Sequence, residues 1–473
     1  MQNKLCFFPL TLFFVLFTNS LAMVNAGELN LNTLLTQTQI DWQFRIPYQG
    51  KINPAALRQA FLLNEDWQYL EENFSAIDEL SDPNLVWQKV NLPHTWNAFD
   101  ATDNDPGYRR DASWYRKEIK IPDFAEHLIF RLYFEGVNIS CDVYVNGIKA
   151  GSHVGGYVGF AIDITPFIQK GTLNRIDVRA DNSINPDIIP SQKSDFFIFG
   201  GIFRDVWLQI LQRTFIDRIQ ISTPKVNEKF AETSASLTLI HHATIAQKFN
   251  IEVTIKNPDS KIVATKLKQV ELKLGMNSVS LYLPKVLNPA LWSPDHPQLY
   301  EMTIRLQSNQ IVDQISERFG YRWFEFQERG PFYLNGKRLL LRGTHRHEDH
   351  AGLGNALPDS LHRRDMEMIK EMGANFVRLA HYPKDPEIYR ACDELGLLVC
   401  DELPWCRGGM GGENWKSNTR RLLKEQILQN YNHPSIILWS LGNELYWLPD
   451  FPGGDQIDSL KAFVSVLNEL AHQ

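Results

Sequence analysis

Cysteine is scarce in this chain. There are five in 473 residues, and Cys6 falls in the opening segment, which leaves Cys141, Cys392, Cys400 and Cys406 for the rest. No two of them stand at a paired metal-binding spacing, so a thiolate metal centre is excluded. A chain of this length also has no need of a disulfide framework. Buried free thiols are expected, with a bridge through Cys400 or Cys406 as the alternative in an oxidising compartment. Positive charge is short as well: 48 basic against 55 acidic residues give a net charge of −7, which argues against nucleic acid as a main partner. Long apolar runs are missing beyond Leu5 to Phe17, since no later stretch approaches the roughly 18 residues of a membrane span.

That single run follows Lys4 and gives way to small and polar residues. It is too short for a permanent helix across a bilayer and reads as a secretory signal peptide, residues 1–26, cleaved after Ala26 or, as second choice, after Ala22. Cys6 lies too early for lipid attachment. A free product exported to the periplasm or the medium is expected, with no membrane association once the signal is removed.

What remains is ordinary globular composition, 44% apolar and 22% charged. Its length calls for several domains. From about Asp66 to Leu211 short alternating segments such as HLIFRLYFEGV (His127 to Val137) are broken by Gly, Pro, Asn and Asp, and Asn146-Gly147 marks a hairpin. This predicts an antiparallel jelly roll over 60–212. A second period-two block, with FNIEVTIKN (Phe249 to Asn257), predicts an immunoglobulin-like β-sandwich over 213–319. After GYRWFEF (Gly320 to Phe326) the pattern becomes strand, loop, helix. Buried strands begin at Lys337, Asn375 and Gly396, and helices are expected at Leu361 to Gly373, with Met366, Ile369 and Met372 inward, at Pro386 to Leu395, and from about Asn418 to Gln429. Repeated βα units predict a TIM barrel, (β/α)8, over 320–473. Only about four of the eight units are counted, so the barrel is incomplete and the fold class is multidomain β plus α/β.

The most informative stretch is NHPSIILWSLGNE, Asn432 to Glu444. Its apolar centre predicts a strand enclosed on both faces, ending on an acid at the reactive face of the barrel. From the strand pattern alone, Glu444 as a simple cap is the better reading. The whole string, with Trp439, Gly442, Asn443 and Glu444, resembles the acid/base signature of glycoside hydrolase family 2, the family of β-galactosidases, β-glucuronidases and β-mannosidases. LPHTWN (Leu92 to Asn97), WYRK and GGIFRDVWL (Gly200 to Leu208) are similar to blocks of its sugar-binding domain. The 12 Trp suit stacking on pyranose rings, although aromatic sandwich cores give the same count.

The resemblance implies a retaining glycosidase, which uses two carboxylates about 5 to 5.5 Å apart. It assigns the acid/base role to Glu444 and a contact with the sugar 2-hydroxyl to Asn443. The family's nucleophile is a Glu on a later barrel strand that has no counterpart in this sequence. Glu402, with Asp401, is the only other strand-end acid near the pocket and is read as a hydrogen-bonding support. The resemblance also implies that His347, His381 and Asp195 contact sugar and that Arg342 and Arg378 orient carboxylates. The bland alternatives are hydrogen-bonded histidines, a solvated loop aspartate and ion pairs inside the barrel. In HRHEDH (His345 to His350), His345 and His347 share a face that Glu348 and Asp349 do not both join, so a metal reading is disfavoured. The Glu and His that bind magnesium in some β-galactosidases are missing from Leu403 to Gly412. The resemblance is therefore to the metal-independent branch, with Trp405 as a stacking wall. No cofactor is expected, and the partner is a carbohydrate, most simply a terminal β-galactoside. The alternatives are a β-glucuronidase or β-mannosidase, or an inactive sugar-binding chain. A homo-oligomer is compatible with all of these.

Overall fold

In the computed structural model the protein is described over residues 45–123 and 127–473. The expected signal peptide lies outside the described residues. The first domain is two antiparallel sheets facing across one core. Four strands lie in the order Arg58–Leu62, Val206–Leu211, Ile129–Phe134 and Phe160–Asp163. Six lie in the order Gln88–Val90, Trp67–Leu70, Ala112–Lys120, Leu173–Asp181, Ser140–Val145 and Ile148–Val154. Alternation decides what faces inward: Cys141, Val143 and Val145 enter the core beside Trp67, Phe130, Leu132 and Phe134. Burying a side chain of this size contributes about 1.5 to 3 kcal/mol. Asn146 and Gly147 take φ of +52° and +83°, the double left-handed turn that matches strand twist. The domain begins before residue 60, because Leu62 N–H donates to Ile46 and Tyr48 N–H donates to Leu62.

The second domain pairs Thr214–Val226 with Phe230–His241 and Gly275–Tyr282, and packs that sheet on Ile262–Leu272, Gln247–Lys256, Tyr300–Gln307 and Ile311–Phe319. Ile216, Leu237, Val253 and Ile304 fill the space between.

In the third domain four parallel strands lie side by side in chain order: Gly343–His345, Phe376–Leu379, Leu398–Glu402 and Ile436–Ser440. The helices are α1 (Asp359–Glu371), α2 (Pro386–Leu395), α3 (Glu413–Asn430) and α4 (Ile457–Ala471). α2 is written plainly in sequence. Asp385 accepts from Glu387 N–H at 2.9 Å, Pro386 opens the first turn, and Gly396 at φ +73° ends the helix. Three expectations change. α3 starts five residues early because Trp415 is drawn into a buried cluster with Trp405 and Phe463. Met372 leaves the apolar face of α1, since it sits at the helix end and is 61% exposed. The signature strand is not enclosed on both faces. It is the edge of the four-stranded arc, so Ile436 and Ile437 are buried while Leu438 is 37% exposed.

Candidate active site

Register places the polar strand ends together. His345 pairs across from Arg378, Arg378 from Cys400, and Glu402 from Ser440. Glu402 is fully buried and both of its oxygens are used. Arg378 donates to Oε2 through Nε at 3.0 Å and Nη2 at 2.7 Å, Ser440 donates to the same oxygen at 2.8 Å, and His381 Nδ1 donates to Oε1 at 2.7 Å. Burial pushes this carboxyl up, but the His381 hydrogen bond and the Arg378 charge outweigh burial and hold it below its ordinary value. Three donors on Oε2 and one on Oε1 tie this carboxylate into the ends of the neighbouring strands. It supports the site by fixing Arg378, whose Nη2 reaches Asn443 Oδ1 at 3.0 Å.

The segment after Glu402 runs beside the segment after Ser440. Leu403 N–H donates to Ser440, Asn443 N–H to Trp405, and Arg407 N–H to Asn443, at 2.9, 2.9 and 3.0 Å. Gly442 has φ of +145°, and a Cβ there would stand 2.5 Å from the Trp405 carbonyl oxygen, so only glycine fits. Glu444 itself adopts φ of +50°, uncommon for a residue with a side chain and characteristic of positions held for function. Its carboxylate is 38% exposed and accepts from Arg407 Nε at 2.7 Å, while Arg407 Nη2 donates to Asp195 at 2.7 Å. The Arg407 guanidinium also lies over the Trp447 ring, 4.7 Å from its centre.

Phe196 from the first domain closes one side, with ring centres 5.5 Å from His347, 6.0 Å from His381 and 5.0 Å from Tyr382. Burial, helped by the neighbouring Lys384, lowers His347 to about 4, so it is a neutral imidazole at neutral pH. Asn443 Nδ2 points at the buried Cys406 sulfur, 3.6 Å away.

The arrangement brings together Glu444, Asn443, Asp195, His347, His381, Arg378 and Glu402. Two assignments fail. Trp405 is fully buried against Trp415 and Phe463, and its Nε1 donates to Gly409 at 2.9 Å, so it offers no face for a sugar. Arg342 precedes the first strand at its amino end and is exposed, with no ion pair among the described residues, so it orients no carboxylate. Sequence reading missed Arg407, Phe196 and Ser440. The one available signal for Arg407 was a lone cation in a glycine-rich loop directly after a barrel strand. All four described cysteines are free and buried, so the bridge through Cys400 or Cys406 is not formed. His345 and His347 join no group of metal-ligand geometry among the described residues.

Three adjoining family models cover most of the chain: "Glycosyl hydrolases family 2, sugar binding domain" over 73–212, "Glycosyl hydrolases family 2" over 214–322, and "Glycosyl hydrolases family 2, TIM barrel domain" over 325–468. The chain belongs to glycoside hydrolase family 2. A family member of Formosa agariphila, provisionally named beta-glucuronidase, is 54% identical over 87% of this chain and 49% of its own length. A beta-galactosidase of Thermoanaerobacter pseudethanolicus is 36% identical over 81% of this chain and 51% of its own length. Beta-glucuronidase 2 of Bacteroides uniformis, solved covalently bound to cyclophellitol-6-carboxylate aziridine, is 34% identical with a TM-score of 0.81, over 88% of this chain and 51% of that one. The same protein has been solved as a calcium binding mutant in which two aspartates are replaced by alanine. The chain thus spans about half the length of the relatives it matches. Its barrel is partial, and among the described residues no helix is long and apolar enough to cross a membrane.

Proposed function

We propose that this chain carries the acid/base half of a retaining β-glycosidase acting on β-glucuronides. The observation that carries the proposal is the Gly442–Asn443–Glu444 turn, which presents a carboxylate at the carboxyl end of a barrel strand beside the Arg378–Glu402–His381 network. Glu444 protonates the leaving glycosidic oxygen and then, as a carboxylate, removes a proton from the water that hydrolyses the glycosyl-enzyme. Asn443, held by Arg378, meets the sugar 2-hydroxyl, a contact that strengthens in the transition state. The covalent inhibitor complex of the B. uniformis enzyme supports a covalent intermediate. The glucuronide preference rests on that enzyme and the F. agariphila relative, and it replaces the terminal β-galactoside expected from the sequence.

The direct test joins the chain, in frame at Gln473, to the portion of the F. agariphila relative that follows the aligned region. The fusion is assayed with nitrophenyl β-glucuronide and β-galactoside. Preferential release from the glucuronide is expected, whereas a galactoside preference of tenfold or more, about 1.4 kcal/mol, would overturn the substrate assignment.

A second reading concerns a metal. The two aspartates replaced in the calcium binding mutant are separated along that chain by as many residues as Asp359 and Asp385 are here. We infer that this chain binds calcium through Asp359 and Asp385, whose oxygen donors suit a hard cation. We also propose that Leu5 to Phe17 directs export, to be checked by N-terminal sequencing of the product, with Gly27 as the expected first residue.

A further inference from the structure

Three side chains that meet only in space stand at the carboxyl ends of the barrel strands. Asp195 comes from the first domain, His381 from the segment after the second barrel strand, and Cys406 from the loop after the third. Each offers one ligand atom, and the three atoms lie within 4.8 Å of one another. Spacing along the chain shows no paired thiolates, and it could not reveal a single thiol joined by donors from residues 195 and 381.

The donors are held in place by their surroundings. Ser194 Oγ donates to the Cys406 carbonyl at 3.0 Å and Arg407 Nη2 donates to Asp195 Oδ2 at 2.7 Å, so the first domain and the barrel loop are fastened together. Asp195 Oδ1 stands 3.9 Å from Cys406 Sγ. His381 gives Nδ1–H to Glu402 at 2.7 Å, which leaves the lone pair of the neutral ring on Nε2. A carboxylate on the far nitrogen is the usual support of a metal-bound histidine. Asn443 Nδ2 donates to Cys406 Sγ at 3.6 Å, a contact that favours the thiolate. Asp195 is exposed, so an ion reaches the group from solvent.

The cations that act on this group are already answered. Arg378 pairs with Glu402, and Arg407 is divided between Glu444 and Asp195. Lys384, whose charge also reaches His347, is held well below the usual amine range by burial and faces Glu348 and Asp401. Three carboxylates against two guanidiniums leave one negative charge, and a Cys406 thiolate makes it two, which a divalent ion neutralises.

We infer that Asp195, His381 and Cys406 form a zinc site of three protein ligands with its fourth position open to water. Sulfur and imidazole donors select zinc over the hard cations calcium and magnesium. Bonds of about 2.0 to 2.3 Å ask the three atoms to close by up to roughly 1 Å. The thiol proton passes to solvent as the bond from zinc to sulfur forms. Asp195 and His381 are sugar contacts in the glycosidase reading, so on that reading zinc takes the sugar's place and the site is inhibitory.

Cobalt(II) takes the same donors as zinc and reports a thiolate ligand through a sulfur-to-metal charge-transfer band in the near ultraviolet. Added to the untagged chain after treatment with a chelator, cobalt should raise this band and zinc should remove it. The band should be absent in Cys406→Ser and kept in Cys400→Ser, with folding checked by circular dichroism. Asp195→Asn, at an exposed position, should weaken zinc binding by about tenfold or more. No band in the parent, or the same band in folded Cys406→Ser, would overturn the site. Because serine at a buried position can disturb folding, Asp195→Asn also decides alone: an unchanged zinc dissociation constant in a folded sample contradicts the shared ligand set. In the barrel-completed fusion, zinc should lower glucuronide turnover, and Cys406→Ser should need about tenfold more zinc for the same fractional loss from its own metal-free rate. A fusion without turnover contradicts the glycosidase reading, while the cobalt band still decides the site. A cobalt band together with turnover indifferent to zinc would overturn the inhibitory role.

Discussion

Glu402 shows how a residue's neighbours choose between two roles that sequence leaves open. A strand-end glutamate near a pocket is read from sequence as either nucleophile or support, and here four donors, three on Oε2 and one on Oε1, tie it to Arg378, Ser440 and His381. Glu402→Gln should therefore lower stability by about 2 kcal/mol, as expected for loss of charge-assisted hydrogen bonds. The sign of its pH dependence follows. A carboxyl held below its ordinary 4.5 in the folded state adds stability above that pH, and the addition is lost as pH falls through the folded value. Urea unfolding of parent and variant from pH 7 to pH 3 should thus show a gap that narrows below about pH 4.5. A gap that widens on acidification would contradict the assignment. At this scale sequence picked out Glu444, Asn443, His347, His381 and Arg378 as candidates because each stands on or just past an expected strand end, and the fold brings them to one place. It could not locate Arg407 or Phe196, whose roles depend on loops that meet only in space. It placed Trp405 wrongly for the same reason: nothing in LPWCRGG tells whether an indole turns toward the pocket or toward Trp415 and Phe463.

Among the elements, the turn after the signature strand is the most constrained. Its backbone is held to the neighbouring segment by three hydrogen bonds and requires positive φ at Gly442 and Glu444. Gly442→Ala would press a methyl into the Trp405 carbonyl, and a cost of about 1 to 3 kcal/mol is expected. Thermal unfolding should fall accordingly, and ligand affinity should fall with it because Asn443 and Glu444 move. An alanine variant with parent stability would show that the turn tolerates another geometry. α2 was legible to the residue because Asp385, Pro386 and Gly396 specify both its ends locally. The start of α3 was not, since Gly412 gives no side-chain cap and the tertiary pull on Trp415 extends the helix.

Across the whole molecule, motifs that look separate in sequence turn out to be halves of contacts. GGIFRD supplies Arg204 and HRHED supplies Glu348, and the two meet at 2.6 Å with neither exposed. Asn432, the first residue of the signature stretch, ties the third domain to the second by accepting from Ile221 N–H at 2.8 Å and donating to the Ile219 carbonyl at 2.9 Å. Domain types were readable from periodicity, whereas these couplings required coordinates. Arg204→Met should destabilise by about 3 to 5 kcal/mol, because it leaves Glu348 buried without its cation. Chemical denaturation measures this, and a loss under about 1 kcal/mol would mean that the pair is dispensable.

If Glu444 is the acid/base of a retaining mechanism, azide should rescue Glu444→Ala in the barrel-completed fusion. With dinitrophenyl β-glucuronide the leaving group departs without an acid, and the variant stalls at the glycosyl-enzyme because no base activates water. Turnover should fall about 10²- to 10⁴-fold and be restored by azide, with β-glucuronosyl azide as the product. A variant with undiminished turnover, no azide rescue, or an α-azide product would contradict that role.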